Sequence, residues 1–217
     1  MSIQYTDMQL DALRELANIG SGKASTALSM LLERSVDISV PSARALSFAD
    51  AVDAIGDPET EITGVVLGIT GDLQGTVLLL VSPADAEAIC AILGVEPGSE
   101  YVESALGEVG NIVGSSYINA LAEMTGMAIE PTPPATATDM LAAIVETVLA
   151  GQAHAEHCPR GAGSVAGVRP EGETRGGDVA LMLDSQLRVE GEDCAIGFML
   201  VPSRDGVDEL LERLGLS

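Results

Sequence analysis

The chain contains no tryptophan, and aromatic residues make up only 2% of its 217 positions, so its interior has to be built from Leu, Val, Ile, Ala and Met. Lysine is almost missing as well: Lys23 stands alone beside nine arginines, against 33 acidic residues, for a net charge of −23. Binding to nucleic acid or to anionic lipid requires clustered cations, so both are excluded as partners. No apolar run approaches the roughly 18 residues of a membrane span. Met1-Ser2-Ile3-Gln4 has neither the basic start nor the apolar stretch of a secretion signal, and a soluble, cytoplasmic protein is expected. Cys90, Cys158 and Cys194 are odd in number and lack CxxC spacing, which argues against a disulfide framework or a zinc site. His154, His157 and Cys158 lie close together, but no second ligand pair follows at metal-site spacing, and they read as part of a surface loop. The chain is expected to carry no cofactor of its own.

What the sequence does have is a repeat. Asp11, Glu15, Asn18 and Pro41 follow the spacing D-x3-E-x2-N-x22-P, and Ser104, Glu108, Asn111 and Pro134 follow S-x3-E-x2-N-x22-P, 93 residues later. One Glu-x-x-Asn is noise. Two in a single register, each trailed by a proline at the same distance, point to internal duplication.

The flanking patterns agree with that. Thr6 or Asp7 caps a helix reaching about Arg34, with Leu13, Leu16, Ala17, Gly20, Ala24, Ala27, Leu28 and Leu31 at helical period. A second helix, from about Glu100 to Gly126, repeats the pattern with Leu106, Val109, Gly110, Val113, Tyr117, Ala120, Leu121 and Met124. Short extended pieces follow, Val36–Val40 and Ala128–Glu130, and then short helices, Ser47–Ile55 and Thr138–Ala150. Each half continues with two aliphatic strands, Ile62–Thr70 with Gln74–Val81 and Val179–Val189 with Cys194–Val201. Each closes with a helix that a glycine ends, Gly94 and Gly215. The spacing predicts one domain over residues 1–217 made of two homologous halves, about 6–94 and 100–215, with a flexible Gly-rich loop at about 152–177. The expected class is α/β (α+β): a pseudo-two-fold layered fold with a central, largely antiparallel sheet, the closing helices on one side and the two long motif helices exposed on the other.

Steps of four, three and four residues place Asp11, Glu15, Asn18 and Gly22 on one stripe, opposite the apolar one. Ser104, Glu108, Asn111 and Ser115 do the same in the second helix. Asn is a mediocre helix former, so an amide kept twice on a solvated face has a use other than helix stability. A carboxylate and a carboxamide on a convex helix make a poor small-molecule pocket but suit insertion into a partner's. The amide can donate to one group and accept from a water, holding that water in line with a phosphoryl group. The carboxylate can pair with a lysine lining the partner's pocket.

The doubled motif resembles the signature of the CheC, CheX and FliY family of chemotaxis phosphatases, over about Asp7 to Leu214. With both copies intact and without the further C-terminal domain of a FliY, the pattern is most similar to the CheC type. The resemblance implies hydrolysis of the aspartyl phosphate of the response regulator CheY. Asn18 and Asn111 would orient the attacking water, Glu15 and Glu108 would contact a regulator lysine, and Mg2+ would belong to the regulator. It also implies a possible complex with the receptor deamidase CheD. Asp11, Ser104, Pro41 and Pro134 read as structural. The protein is expected to be a monomer. A competing reading is a non-catalytic adaptor that docks a regulator or motor-switch protein on the same faces, although an adaptor has no need of a water-positioning amide.

The acidic residues are spread along the whole chain, as on the solvated surface of a halophile's protein. Screening of that self-repulsion should raise the melting temperature as salt approaches molar concentration. A melting temperature indifferent to salt would contradict this reading.

Overall fold

The computed structural model describes residues 5–155 and 179–216. The first half runs α1 (Asp7–Leu32), β1 (Val36–Ile38), β2 (Ser42–Ser47), α2 (Phe48–Ile55), β3 (Glu61–Gly71), β4 (Gly75–Val81) and α3 (Pro83–Ile92). The second repeats that order as α4 (Val102–Thr125), β5 (Ile129–Pro131), β6 (Ala135–Met140), α5 (Leu141–Ala155), β7 (Val179–Val189), β8 (Ala195–Pro202) and α6 (Arg204–Arg213). Local chemistry sets these bounds. Thr6 caps α1 through a reciprocal box with Gln9, and Ser47, Ser82 and Ser203 accept the N–H of the third helical residue in α2, α3 and α6. Gly126, at φ +67, takes the left-handed conformation that ends α4.

All eight strands form one antiparallel sheet in the order β1-β7-β8-β4-β3-β5, with β2 also on β7 and β6 also on β3. The halves therefore exchange strands: β1 and β2 of the first pair with β7 of the second, and β5 and β6 of the second pair with β3 of the first. The exchange keeps register residue for residue. Val36 faces Val189 where Ile129 faces Gly71, and Ser42 faces Asp184 where Ala135 faces Val66. At the centre, β4 pairs with β8, and Leu78 lies opposite Met199, its own counterpart in the repeat. The pseudo-two-fold passes through that pair.

Alternation along the central strands builds two cores. Val65, Leu67, Ile69, Val77, Leu79, Leu183, Phe198 and Leu200 face α1 and α4. Ile62, Leu78, Leu80, Met182, Met199 and Val201 face α2 and α5. The closing helices α3 and α6 join the first core through Ala86, Ile89, Val207, Leu210 and Leu211. They thus lie on the same side as the motif helices, and α2 and α5 cover the other, which corrects the expected placement of the layers. The physical reason is that α2 and α5 are apolar enough to shield a sheet face, as Ala51, Val52, Leu141, Ile144, Val145 and Leu149 show.

Strands β2 and β6 are a second departure, since the extended pieces were expected to lead straight into helices, and Thr138–Met140 belongs to β6 where a helix was predicted. The exposed Ala-Thr-Ala-Thr-Asp-Met of β6 has no apolar alternation to betray it. It is held by backbone pairing to β3 and by a 2.9 Å hydrogen bond between the hydroxyls of Thr63 and Thr138. Helix α5 continues to Ala155, into the predicted loop, and residues 156–178, with most of that loop, His157 and Cys158, lie outside the described residues. No helix among the described residues is long and apolar enough to cross a membrane.

Helices α1 and α4 lie against each other and close to the sheet, and several glycines make this possible. A Cβ on Gly20 would fall 2.6 Å from the Tyr117 ring, and one on Gly110 would fall 2.4 Å from Val65 Cγ1. Gly22, in the outward stripe, has nothing within 4 Å. Gly110→Ala should therefore destabilise by about 1–3 kcal/mol through overpacking against a stiff β-branched side chain, whereas Gly22→Ala should stabilise by up to ~1 kcal/mol. Urea unfolding of both variants checks the contrast, and equal effects would contradict the packing described.

Candidate functional site

The face of α1 turned away from the sheet carries Asp11, Glu15, Asn18, Gly22 and Thr26, and that of α4 carries Ser104, Glu108, Asn111, Ser115 and Asn119. Their positions follow from the opposite side: Leu13, Leu16, Ala17, Gly20, Ala24 and Leu28 bury one stripe of α1, and Leu106, Val109, Gly110, Val113, Tyr117 and Leu121 bury that of α4. With the apolar stripes fixed against the sheet, the acid and the amide of each motif have to point outward. Glu15, Asn18 and Glu108 are exposed and Asn111 is half-buried.

The two faces differ in detail. Asp11 accepts a hydrogen bond from Arg14 at 2.6 Å, an exposed ion pair within one turn, and Ser104 at the matching position is exposed. Pro41 is buried and Pro134 half-buried at the entries to β2 and β6. On α4, Ser115 Oγ lies 3.4 Å from Asn111 Oδ1. On α1, Gly22 occupies that position and offers no side chain.

Exposed apolar side chains border both motifs, which the sequence reading passed over. Met8 (68% exposed) and Tyr101 (65%) occupy equivalent positions before the motif, and Ile19 (39%) and the half-buried Ile112 lie beside the amides. The same 93-residue offset that finds the polar residues would have found these, had it been applied to exposed apolar positions. An acid and an amide framed by solvated apolar side chains on a rigid convex helix form a surface for another macromolecule to bury. The cysteines among the described residues add no chemistry: burial raises the pKa of the Cys90 thiol, and burial with Asp85, Glu192 and Asp193 nearby pushes that of Cys194 up to about 11.

An internally duplicated α/β domain presenting twin acid and amide faces on paired helices is the class of protein that the fold and these surfaces define. The sequence pattern of the CheC-like family matches the chain twice, at residues 8–43 and 102–137, each match spanning one motif with its proline. The CheY-P phosphatase CheC of Bacillus subtilis is 35% identical over 145 residues, which cover 63% of this chain and 69% of that protein. The chain belongs to the CheC-like family. In fold it is similar to the crystal structure of Thermotoga maritima FliY, with a TM-score of 0.69 and 22% identity over 99% of this chain and 100% of that one. It is also similar, at a TM-score of 0.51 and 16% identity over 88% of this chain and 97% of that one, to a chain in the complex of CheX, CheY, BeF3 and Mg+2 from Borrelia burgdorferi.

If the amides have no part in holding the fold, replacing them should not weaken it. Asn18→Ala and Asn111→Ala should leave the unfolding free energy unchanged or raise it by roughly 0.5 kcal/mol each, since alanine is the better helix former. A loss above about 1.5 kcal/mol at either position, measured by denaturant titration, would assign that amide to the fold.

Proposed function

We propose that this protein terminates a chemotaxis signal by hydrolysing the aspartyl phosphate of a CheY-like response regulator. The observation that carries the proposal is the doubled outward pair, Glu15 with Asn18 and Glu108 with Asn111, on a chain 35% identical to a protein named CheY-P phosphatase. The exposure of the pairs suits a reaction carried out inside the partner, because a convex helix provides no cavity in which to enclose a small substrate.

In this mechanism one motif face docks over the regulator's phosphorylated aspartate. Glu15 or Glu108 pairs with a regulator lysine and sets the docked register. Asn18 or Asn111 holds a water in line with the phosphorus, accepting from it through Oδ1 or donating to a phosphoryl oxygen through Nδ2. The water oxygen bonds to phosphorus while the acyl-phosphate P–O bond breaks. The electron pair of that bond leaves on the regulator's aspartate, and the water's proton departs with the inorganic phosphate or to solvent. The enzyme forms no covalent bond at any stage. The Mg2+ that balances phosphoryl charge is the regulator's own, and this chain contributes positioning. Met8, Ile19, Tyr101 and Ile112 give the docked regulator apolar surface to cover. We further propose that the protein acts in the cytoplasm as a monomer, where a CheD-type deamidase is a candidate second partner.

Phosphorylated regulator should lose its phosphate faster when the protein is added, at substoichiometric enzyme. Asn18→Ala combined with Asn111→Ala should abolish the acceleration, a loss of at least about 100-fold if positioning the water supplies a usual share of the barrier, and each single change should leave part of it. Full activity in the double variant would refute the assigned roles.

A further inference from the structure

We propose that the two motif faces are chemically unequal and that Ser115 makes them so, as a positioning residue that holds the Asn111 carboxamide in one orientation. The inference rests on the phosphatase reading, because it concerns how well each amide is prepared to hold water. Ser115 Oγ donates to Asn111 Oδ1 from one helical turn further on, at 3.4 Å. Other hydroxyls in these helices behave differently. Thr26 of α1 and Ser116 and Thr125 of α4 each donate to the backbone carbonyl four residues back, at 2.7–2.9 Å. The carbonyl in that position for Ser115 is that of Asn111 itself, yet the Ser115 hydroxyl meets the side-chain oxygen. A carboxamide rotates in a broad, nearly two-fold potential, so oxygen and nitrogen exchange places readily unless a neighbour distinguishes them. The Ser115 hydroxyl restrains that rotation by holding the end of the carboxamide against α4, and as a donor it holds the arrangement with the oxygen toward it. It directs the carboxamide nitrogen away from Ser115 and leaves the oxygen a second lone pair for a water.

Asn18 has no equivalent. Gly22 stands where Ser115 stands, a side chain there would meet nothing within 4 Å, and the nearby Thr26 hydroxyl is committed to the Gly22 carbonyl. Asn18 is also exposed where Asn111 is half-buried. The Asn18 side chain therefore has to be ordered after a regulator has docked, on the way to the transition state, and the Asn111 side chain is partly ordered beforehand. Ordering one rotamer-rich side chain costs enough to slow the α1 face about three- to ten-fold relative to the α4 face.

The test isolates each face. Asn18→Ala leaves the α4 face to be measured and Asn111→Ala leaves the α1 face, with regulator dephosphorylation followed over a range of regulator concentrations. The Asn18→Ala protein should turn over about three to ten times faster at saturation. Adding Ser115→Ala to it should lower kcat by a similar factor while KM for the regulator stays within about two-fold, since docking does not depend on the hydroxyl. Ser115→Thr, which keeps the hydroxyl, should restore most of the rate. In the Asn111→Ala protein, Gly22→Ser should raise kcat, an arm that survives even if Ser115→Ala unfolds. Equal turnover by the two faces, an unchanged kcat in Ser115→Ala, equal rates for Ser115→Ala and Ser115→Thr, or no gain from Gly22→Ser would each overturn the proposal. Activity surviving Asn18→Ala with Asn111→Ala would instead overturn the phosphatase reading beneath it.

Discussion

The exchange of strands between the two halves is the constraint on which the rest of the structure depends. Because β1 and β2 complete the sheet on β7, and β5 and β6 complete it on β3, neither half can satisfy its backbone hydrogen bonds alone. The exchange joins both hairpins into one sheet and gives α1 and α4 a common floor. Gly20 under the Tyr117 ring and Gly110 on Val65 then bring the helices close, leaving no freedom for either to roll about its axis. A helix that cannot roll presents a fixed face. The outward direction of Glu15, Asn18, Glu108 and Asn111 is a consequence of what lies buried on the other side.

Symmetry of backbone has not imposed symmetry of chemistry. Ser21 of α1 and Ser185 of β7 share a 3.0 Å hydrogen bond where, at the matching positions, Gly114 of α4 receives Leu67 of β3. Asp184 accepts from Ser42 and Arg44 on one edge of the sheet, and the corresponding residues on the other edge are Val66, Ala135 and Ala137. In both places polar groups bond one another where the matching positions carry glycine or apolar side chains. Gly22 and Ser115 differ in another way: both positions lie on the outward stripe, and a Cβ at Gly22 would meet nothing within 4 Å, so packing does not determine the choice between them.

Much of this was legible in the sequence, for physical reasons that can be named. Long helices with apolar stripes and capped starts declare themselves, and β7 was placed to the residue because its aliphatic run ends at a turn. The motif residues were found because the same spacing occurs twice. Strands β2 and β6 were missed because a short, partly exposed strand is held by its neighbours' backbone and carries no periodicity of its own. The layer order was misjudged because burial of a helix face says that it is covered without saying by which side of the sheet. The contrast between Ser115 and Gly22 needed coordinates, since only the position of the hydroxyl distinguishes a bond to the side chain from the usual one to the backbone.

The central claim is that the outward faces of α1 and α4 are where a phosphorylated regulator sits. The most direct test is to follow the side-chain amide NMR signals of Asn18 and Asn111 as a CheY-like regulator, held in its active form by beryllofluoride and Mg2+, is titrated in. The expected result is that both signals shift, along with backbone signals of α1 and α4, while those of α2 and α5 stay in place. Shifts confined to α2 and α5, with both amides undisturbed, would contradict it.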